Sequence, residues 1–578
     1  DMIRDLDDIG LSDELGLATK RSAIFMTNAD ERVPYTLSRK VGGEIVESNF
    51  ELSPAASQLG AIMGLMIERG SVNPYKVIFT TYNQLQTVQG KTTSRMRFME
   101  SLGPRSYLVL DESHNAGGNT ATQARTKQQR DAQKSGLTTV TGRAAFLRGL
   151  VRVAKGSFFS SATYAKRPEV MDLYSSTNMM LAVNNPAELA PAIKRGGVPM
   201  QQIVATMLTD DGQYIRRERS FAGVTYDTRE TVVDKDVAEN MASSMRQILA
   251  VSRAKEAAVK AMQNELDKEG AKTQVEGERT QVQGANFGAI MHNLIDQMLL
   301  ALKAPDTVGY AIERLKAGEK VVLTVSNTMG SFFSSYADEM GLRPGDPMLL
   351  SFKDLYLRYL EKQRWVKIKQ PGGRVDSYRL TDQDLGPQVT AMFTRTARFI
   401  ENAGFANAPI SPIDYMHQQL RAAGYKTDEI TGRSIGVNYA EATPSLMTRK
   451  ASIRQRLAAI KGFNGGTVDA LILNQSGATG LSLHASEKFK DQRRRHMIIV
   501  QAEKNIDTHV QLLGRVLRTG QVVTPAYTQA MADIPAEMRP AAILAKKMAS
   551  LSANTTASRK SAVSAENVVD FMNDYGGQ

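Results

Sequence analysis

Short apolar runs separated by helix-length stretches constrain this chain most. "SAIFMT" at 22–27, "KVIFTTY" at 76–82, "SYLVLDE" at 106–112 and "GSFFSSAT" at 156–163 alternate with helix-like segments. Strands spaced this way cannot be joined by tight hairpins, so they predict a parallel α/β sheet. The pattern fades near residue 186, where 186–315 reads as helix-rich and polar without a sustained heptad. The stretch "EGERTQVQGANFG" at 276–288 reads as an exposed loop. Strand-like character resumes with "KVVLTVSNTMGS" at 320–331, and a second α/β series runs from about 410. The expected organisation is a first α/β domain at 1–185, a helix-rich insertion at 186–315, a second α/β domain at 316–540 with an internal insertion at 331–405, and a helical tail at 541–578.

At 578 residues and 42% hydrophobic content the chain is long enough for two or more cores. No apolar run reaches the roughly 20 residues needed to span a bilayer. The absence of cysteine excludes disulfides, thiolate zinc sites and cysteine nucleophiles, and suits a reducing cytoplasm. Lys and Arg total 72 against 60 acidic residues, and the net charge of +12 favours polyanionic partners.

Two constellations carry chemistry. Asp111 and Glu112 follow the apolar run Tyr107–Leu110, at the carboxyl edge where open α/β sheets bind ligands. There Asp111 would hold Mg²⁺ and Glu112 would polarise a water, although an Asp-Glu pair after a strand is also ordinary loop polarity. In "QLLGRVLRTGQ" at 511–521, Arg515 and Arg518 are expected one turn apart on a helix and its end, able to grip a γ-phosphate; the competing reading is a solvated basic face.

With these residues in view, "DESH" at 111–114, "SSAT" at 160–163, "NQSGATGLSLHAS" at 474–486 and "QxxGRxxRxGQ" at 511–521 resemble motifs II, III, V and VI of superfamily 2 helicases. "VIFTTYNQL", "SATYAKRP", "VSNTMGSF" and "DEITGR" are similar to the strawberry notch branch in particular. The resemblance implies two RecA-like domains with ATP between them and a nucleic-acid partner, DNA ahead of RNA. It also implies Asp111 for Mg²⁺, Glu112 as catalytic base, Arg515 and Arg518 as arginine fingers, and Gln511 and Gly514 at the nucleotide. His114, Ser161, Thr163, Thr479 and Gly480 would couple the nucleotide and nucleic-acid sites, and Thr80, Thr81 and Ser326 would contact the strand. Members occur in large phage and plasmid proteins linked to protection against restriction, so a DNA-bound module without ATPase activity, carried in a virion, is the alternative to a cytoplasmic motor.

A phosphate loop needs G-x-x-x-x-G-K-[ST], so that backbone N–H groups wrap the phosphates. Gly90-Lys91-Thr92 has the right tail, but Leu85 stands in the first glycine's place. The expectation is that an upstream part of the same polypeptide supplies the loop, and that this chain alone hydrolyses ATP negligibly. Three further features carry milder expectations. Arg493, Arg494 and Arg495 would be a charged strand start or a DNA contact. Tyr356, Tyr359 and Trp365 would be core packing, with a stacking platform for single strands as the alternative. "NPY" at 73–75 would be a turn.

Overall fold

The computed structural model describes residues 6–7, 9–11, 13–15, 23–26, 34–42, 44–51, 56–70, 75–87, 92–116, 143–161, 171, 173–183, 188–215, 223–270, 281–284, 287–369, 375–405, 408–449, 452–474, 481–503, 505–518, 520–538, 541–542 and 544. Described residues up to 215 belong to one compact unit and those from Gly223 to another. Of the segment 186–315, the first part therefore groups with the first unit and the remainder with the second. The expected tail at 541–578 lies almost wholly outside the described residues.

The first unit contains β1 (Ala23–Met26), β2 (Pro34–Val41), β3 (Glu44–Glu51), α1 (Ala56–Arg69), β4 (Val77–Thr80), α2 (Ser94–Leu102), β5 (Tyr107–Leu110), α3 (Arg143–Val153), β6 (Gly156–Phe159) and α4 (Leu189–Asp210). β1 pairs in parallel with β4, and β5 with β6, as the spaced apolar runs predict. The β2–β3 antiparallel hairpin is additional. Ile24 and Met26 of β1 pack with Leu59, Met63 and Phe98 from α1 and α2. Leu110 at the end of β5 packs with Leu147 and Leu150 of α3 and Ile193 of α4. On the other side of the β5–β6 pair, Tyr107 (71% exposed), Val109 (64%) and Phe158 (62%) face solvent. A parallel sheet normally covers both of its faces, so this apolar surface is one that a packed neighbour would ordinarily bury.

The second unit contains β7 (Thr225–Thr231), α5 (Lys235–Ala254), α6 (Glu256–Gly270), β8 (Gln281–Gly284), α7 (Phe287–Lys316), β9 (Lys320–Val325), α8 (Gly330–Met340), α9 (Phe352–Lys362), β10 (Trp365–Lys369), β11 (Val375–Arg379), α10 (Asp382–Asn402, broken at Gly386), α11 (Pro412–Ala422), β12 (Thr427–Ile430), β13 (Ile435–Asn438), β14 (Ser445–Thr448), α12 (Ile453–Gly465), β15 (Ala470–Asn474), β16 (Arg495–Ile499), α13 (Ile506–Leu513) and β17 (Ala526–Ala532). Its main sheet is six-stranded and parallel throughout, in the order β12-β15-β9-β16-β17-β7. The central strands β9 and β16 are buried at every position, the signature of a sheet covered on both faces. Val321, Leu323, Ile472 and Ile498 fill one side beneath α7 and α11. Val322, Leu471, Leu473 and Met497 fill the other beneath α12 and α13.

Helices α5, α7, α8, α9 and α10, expected in two separate insertions, share one core built on Met241, Ile248, Met298, Phe333, Leu355 and Tyr356. The helix starts are locally encoded. Ser351 with Asp354, Thr381 with Asp384 and Ser452 with Gln455 form capping boxes, each satisfying two otherwise orphaned backbone donors.

Three sequence expectations change here. Gln281–Gly284, read as part of an exposed loop, is a strand because its backbone groups pair with β10. The arginine run does not blunt an edge, because β16 lies between β9 and β17, and it divides: the Arg493 and Arg494 side chains stay 39% and 34% exposed. Arg495 is fully buried, donating to the carbonyls of Leu483 (3.1 Å) and Asp491 (2.7 Å), while Arg493 forks onto Asp491. Of the aromatic trio, Tyr356 is core and Tyr359 half-buried, but Trp365 is 43% exposed.

Candidate functional site

In the first unit, the apolar alternation of β5 delivers Asp111 and Glu112 past its carboxyl end, and hydrogen bonds fix them there. Ser160 N donates to Leu110 O at 3.0 Å and Ser113 N donates to Ser160 O at 2.9 Å, extending the β5–β6 register beyond the strands. Ser161 follows directly, so motif-like residues from two strands are brought alongside each other. Between the two bonds the backbone turns sharply, with Glu112 in the left-handed region at φ 48° and ψ 48°. Among the described residues only one other non-glycine, Met329, does this. Such a conformation costs an L-residue about 1–2 kcal/mol, so it persists only where surrounding contacts over-determine it.

Two tyrosines that the motif reading missed supply those contacts. The Tyr82 hydroxyl donates to Asp111 O at 2.6 Å, and Ser113 Oγ shares a hydrogen bond of 2.9 Å with the Tyr174 hydroxyl. Burial, reinforced by the Asp111, Tyr174 and Glu112 charges, pushes the Tyr82 phenol well above its usual range, so it stays a donor. Tyr82 lies in the quoted "VIFTTYNQL"; Tyr174 had no sequence signal.

The Asp111 side chain is exposed. Among the described residues no three His, Asp or Glu side chains cluster as a metal site. A single open carboxylate fits a cation that keeps waters and takes its other ligands from a nucleotide, as Mg²⁺ does. Thr81 occupies the N-cap position of the short helix Tyr82–Leu85, yet its side chain makes no capping bond, and the buried Thr80 hydroxyl has no partner among the described residues. Leu85, where a phosphate loop would need glycine, is buried in the core beside Leu110. Thr93 Oγ1 caps α2 by accepting from Met96 N at 3.3 Å. Gly90, Lys91 and Thr163 lie outside the described residues, as does the side chain of His114.

In the second unit α13 ends at Leu513, so Arg515 and Arg518 stand on the turn that follows rather than on a helix face. The guanidiniums nevertheless converge. Arg515 Nη1 and Arg518 Nη2 each donate to Leu481 O at 3.3 Å, and Leu483 N donates to Arg515 O at 2.9 Å. The segment after "NQSGATG" therefore anchors both arginines. Gln521 accepts from Arg518 N at 3.1 Å, and Gln511 lies in the last turn of α13. Arg515 is only 8% exposed, a placement that suits a guanidinium held for a purpose rather than a solvated basic face. Thr479 and Gly480 lie outside the described residues.

Ser326 follows β9, with its N–H directed to Gln501 Oε1 at 3.2 Å and its hydroxyl to the same oxygen at 3.4 Å. Gln501 in turn donates to Asp296 O at 2.6 Å. In the same unit, "DEITGR" contributes a buried ionic network. Arg433 donates two 2.6 Å bonds to Asp414 and two more to Glu429, and His417 and Arg449 also meet Glu429. Burial alone would raise the Glu429 carboxyl, but Arg433, His417 and Arg449 hold it well below the usual carboxylate range.

Comparison with known proteins finds two family models that match separate stretches of the chain. A family model described as the C-terminal domain on Strawberry notch homologue matches residues 412–578. A second, described as P-loop containing NTP hydrolase pore-1, matches 53–242. The Drosophila melanogaster Protein strawberry notch is 27% identical over 245 residues, 40% of this chain and 14% of that protein. Protein FORGETTER 1 of Arabidopsis thaliana is 26% identical over 210 residues, 35% of this chain and 16% of its own length. The rat Protein strawberry notch homolog 1 is 32% identical over 115 residues, 20% of this chain and 9% of that protein. The matched regions thus span less than a fifth of each of these relatives.

Proposed function

Since the chain is a strawberry notch-like helicase/ATPase module, we propose that it serves as the motor part of an ATP-driven, DNA-tracking protein. The observation that carries this reading is the left-handed Glu112 at the end of a parallel strand. Strain of that kind is maintained where a side chain must be aimed, here a carboxylate beside an open Asp111.

In this reading the chain takes part in binding and hydrolysing ATP. Mg²⁺ supplies charge neutralisation on the phosphates, held on the protein side by Asp111. Glu112 orients the attacking water and accepts its proton. Arg515 and Arg518 stabilise the charge that develops as the γ-phosphoryl departs, Gln511 and Gly514 border the nucleotide, and Ser161, His114, Thr163, Thr479 and Gly480 link it to DNA contacted by Thr80, Thr81 and Ser326. The phosphate loop is supplied from outside these 578 residues. Two observations support that: Leu85 is a core residue, and the Tyr107, Val109 and Phe158 face is left open for a packed neighbour.

The reading is tested by DNA-stimulated ATP hydrolysis by the chain joined to its natural phosphate-loop segment, compared with Glu112→Gln. A fall of about 10²-fold or more, the usual contribution of a positioned general base, supports it. Equal rates sink it. The buried Leu85 favours one alternative, a DNA-binding module that hydrolyses nothing; it predicts DNA binding with no ATPase signal in either protein.

A further inference from the structure

The three-stranded antiparallel sheet β8-β10-β11 has two unlike faces. Val366, Ile368 and Val282 pack inward against Leu380, Leu385, Val389, Val259 and Met262. Strand alternation sends Trp365, Lys367 and Lys369 outward on β10. The register sets Arg379 opposite Trp365, and Ser377 and Gln283 on either side of Lys367. Trp365, Lys367, Lys369, Ser377, Arg379 and Gln283 are all exposed. Among the described residues neither Lys367 nor Lys369 has an ion-pair partner, whereas Arg379 is held by Glu361 at 2.7 Å. Asp376 pairs with Ile368 and belongs to the inward side.

The outward face therefore offers an indole followed along the strand by two ammonium groups without an ion-pair partner among the described residues, at a spacing of two residues, about 6–7 Å. Bases stack on an aromatic ring whatever their identity, while phosphates collect cations along a groove or ridge. A duplex hides its base faces and has no use for the ring.

We propose that this face, with Trp365 as stacking platform and Lys367 and Lys369 as phosphate contacts, binds single-stranded nucleic acid. Its residues are other than those proposed to contact the strand, Thr80, Thr81 and Ser326, and the proposal rests on the reading of the chain as a nucleic-acid motor.

Trp365 is the only tryptophan in the chain, so its emission reports this face alone. The experiment titrates the whole chain with a fluorescently labelled oligothymidylate about as long as a typical single-strand site, up to ~16 nucleotides. Label anisotropy and tryptophan emission are followed together. The expected result is quenching that saturates in step with anisotropy. The Lys367→Ala, Lys369→Ala double variant retains the reporter. It should bind more weakly and show a log affinity against log salt slope shallower by about 1.4, or about 0.7 per lost contact. Trp365→Ala, read by anisotropy, should weaken binding about 5- to 150-fold, the range that one stacked base supplies.

Saturating anisotropy with unchanged emission and unaltered variants would overturn the proposal while leaving the motor reading intact. Absence of binding to both single strand and duplex would remove both. Equal quenching by a blunt duplex would overturn single-strand recognition. An emission change with protein concentration alone would make the face a self-association surface instead.

Discussion

The hydroxyl of Tyr82 donates to the backbone carbonyl of Asp111 at 2.6 Å, tying the helical turn after β4 to the carboxylate turn after β5. This bond comes from a side chain in the segment proposed to touch DNA. Tyr82→Phe is expected to cost about 0.5–1.5 kcal/mol of stability, the net worth of one such bond. The larger effect should appear in catalysis: the Mg²⁺ concentration required for half-maximal ATP hydrolysis rises severalfold. An unchanged requirement in a metal titration would reduce Tyr82 to a purely structural role.

Glu112 presents a trade between stability and chemistry. Glycine tolerates φ 48° without the Cβ penalty, so Glu112→Gly should raise the unfolding free energy by up to about 1–2 kcal/mol in urea titration while abolishing ATP hydrolysis. Glu112→Gln should leave stability nearly unchanged and lose the same activity. Loss of stability in the glycine variant would show that the carboxylate, rather than strain, dominates at this position.

The Arg433 network should govern acid stability. Arg433→Met leaves Asp414 and Glu429 buried without their guanidinium and should cost about 3–5 kcal/mol. Because the folded state holds Glu429 below its unfolded value, the stabilisation is fully present above about pH 4.3 and is lost as pH falls through the lower folded value. Urea titrations from neutral pH to about 3 should therefore show a shallower acid decline for Glu429→Gln than for the parent chain.

Lys255 should give a slope of the same sign at the alkaline end. It is buried on the carbonyl and side-chain oxygens of Gln363, and burial pushes its ammonium down to about 8. Between that value and about 10.4 the unfolded chain binds the proton that the folded chain has released, so stability rises with pH across this window. Lys255→Met should flatten the rise. A variant with the same alkaline slope as the parent would assign the effect elsewhere.

The strands that carry the candidate site were legible in sequence because their information is local. Four consecutive residues, Tyr107–Leu110, both form the strand and fix where Asp111 leaves it, and the run at 320–325 reads as a buried strand for the same reason. The family motifs likewise sit in short windows, and the glycine missing at Leu85 could be read from one position. Partners distant in sequence were not legible. Tyr174 reaches Ser113 across 61 residues. Leu481 O gathers Arg515 and Arg518 across 34 and 37 residues. Gln281–Gly284 becomes a strand only because β10 pairs with it. Arg495 sat in a run with the look of a surface and proved to be interior, since burial depends on which strands flank β16.

The sequence by itself determined the alternation of strand and helix, the two acidic and basic constellations, and the helix starts set by their capping boxes. Each depends on side-chain periodicity or on bonds spanning three residues. Only the tertiary structure decided that Glu112 adopts a left-handed turn, that Arg433 is sealed between two carboxylates, and that Trp365 faces outward while Tyr356 faces in. These outcomes are set by hydrogen bonds and packing between segments far apart in the chain, whose meeting no local pattern encodes.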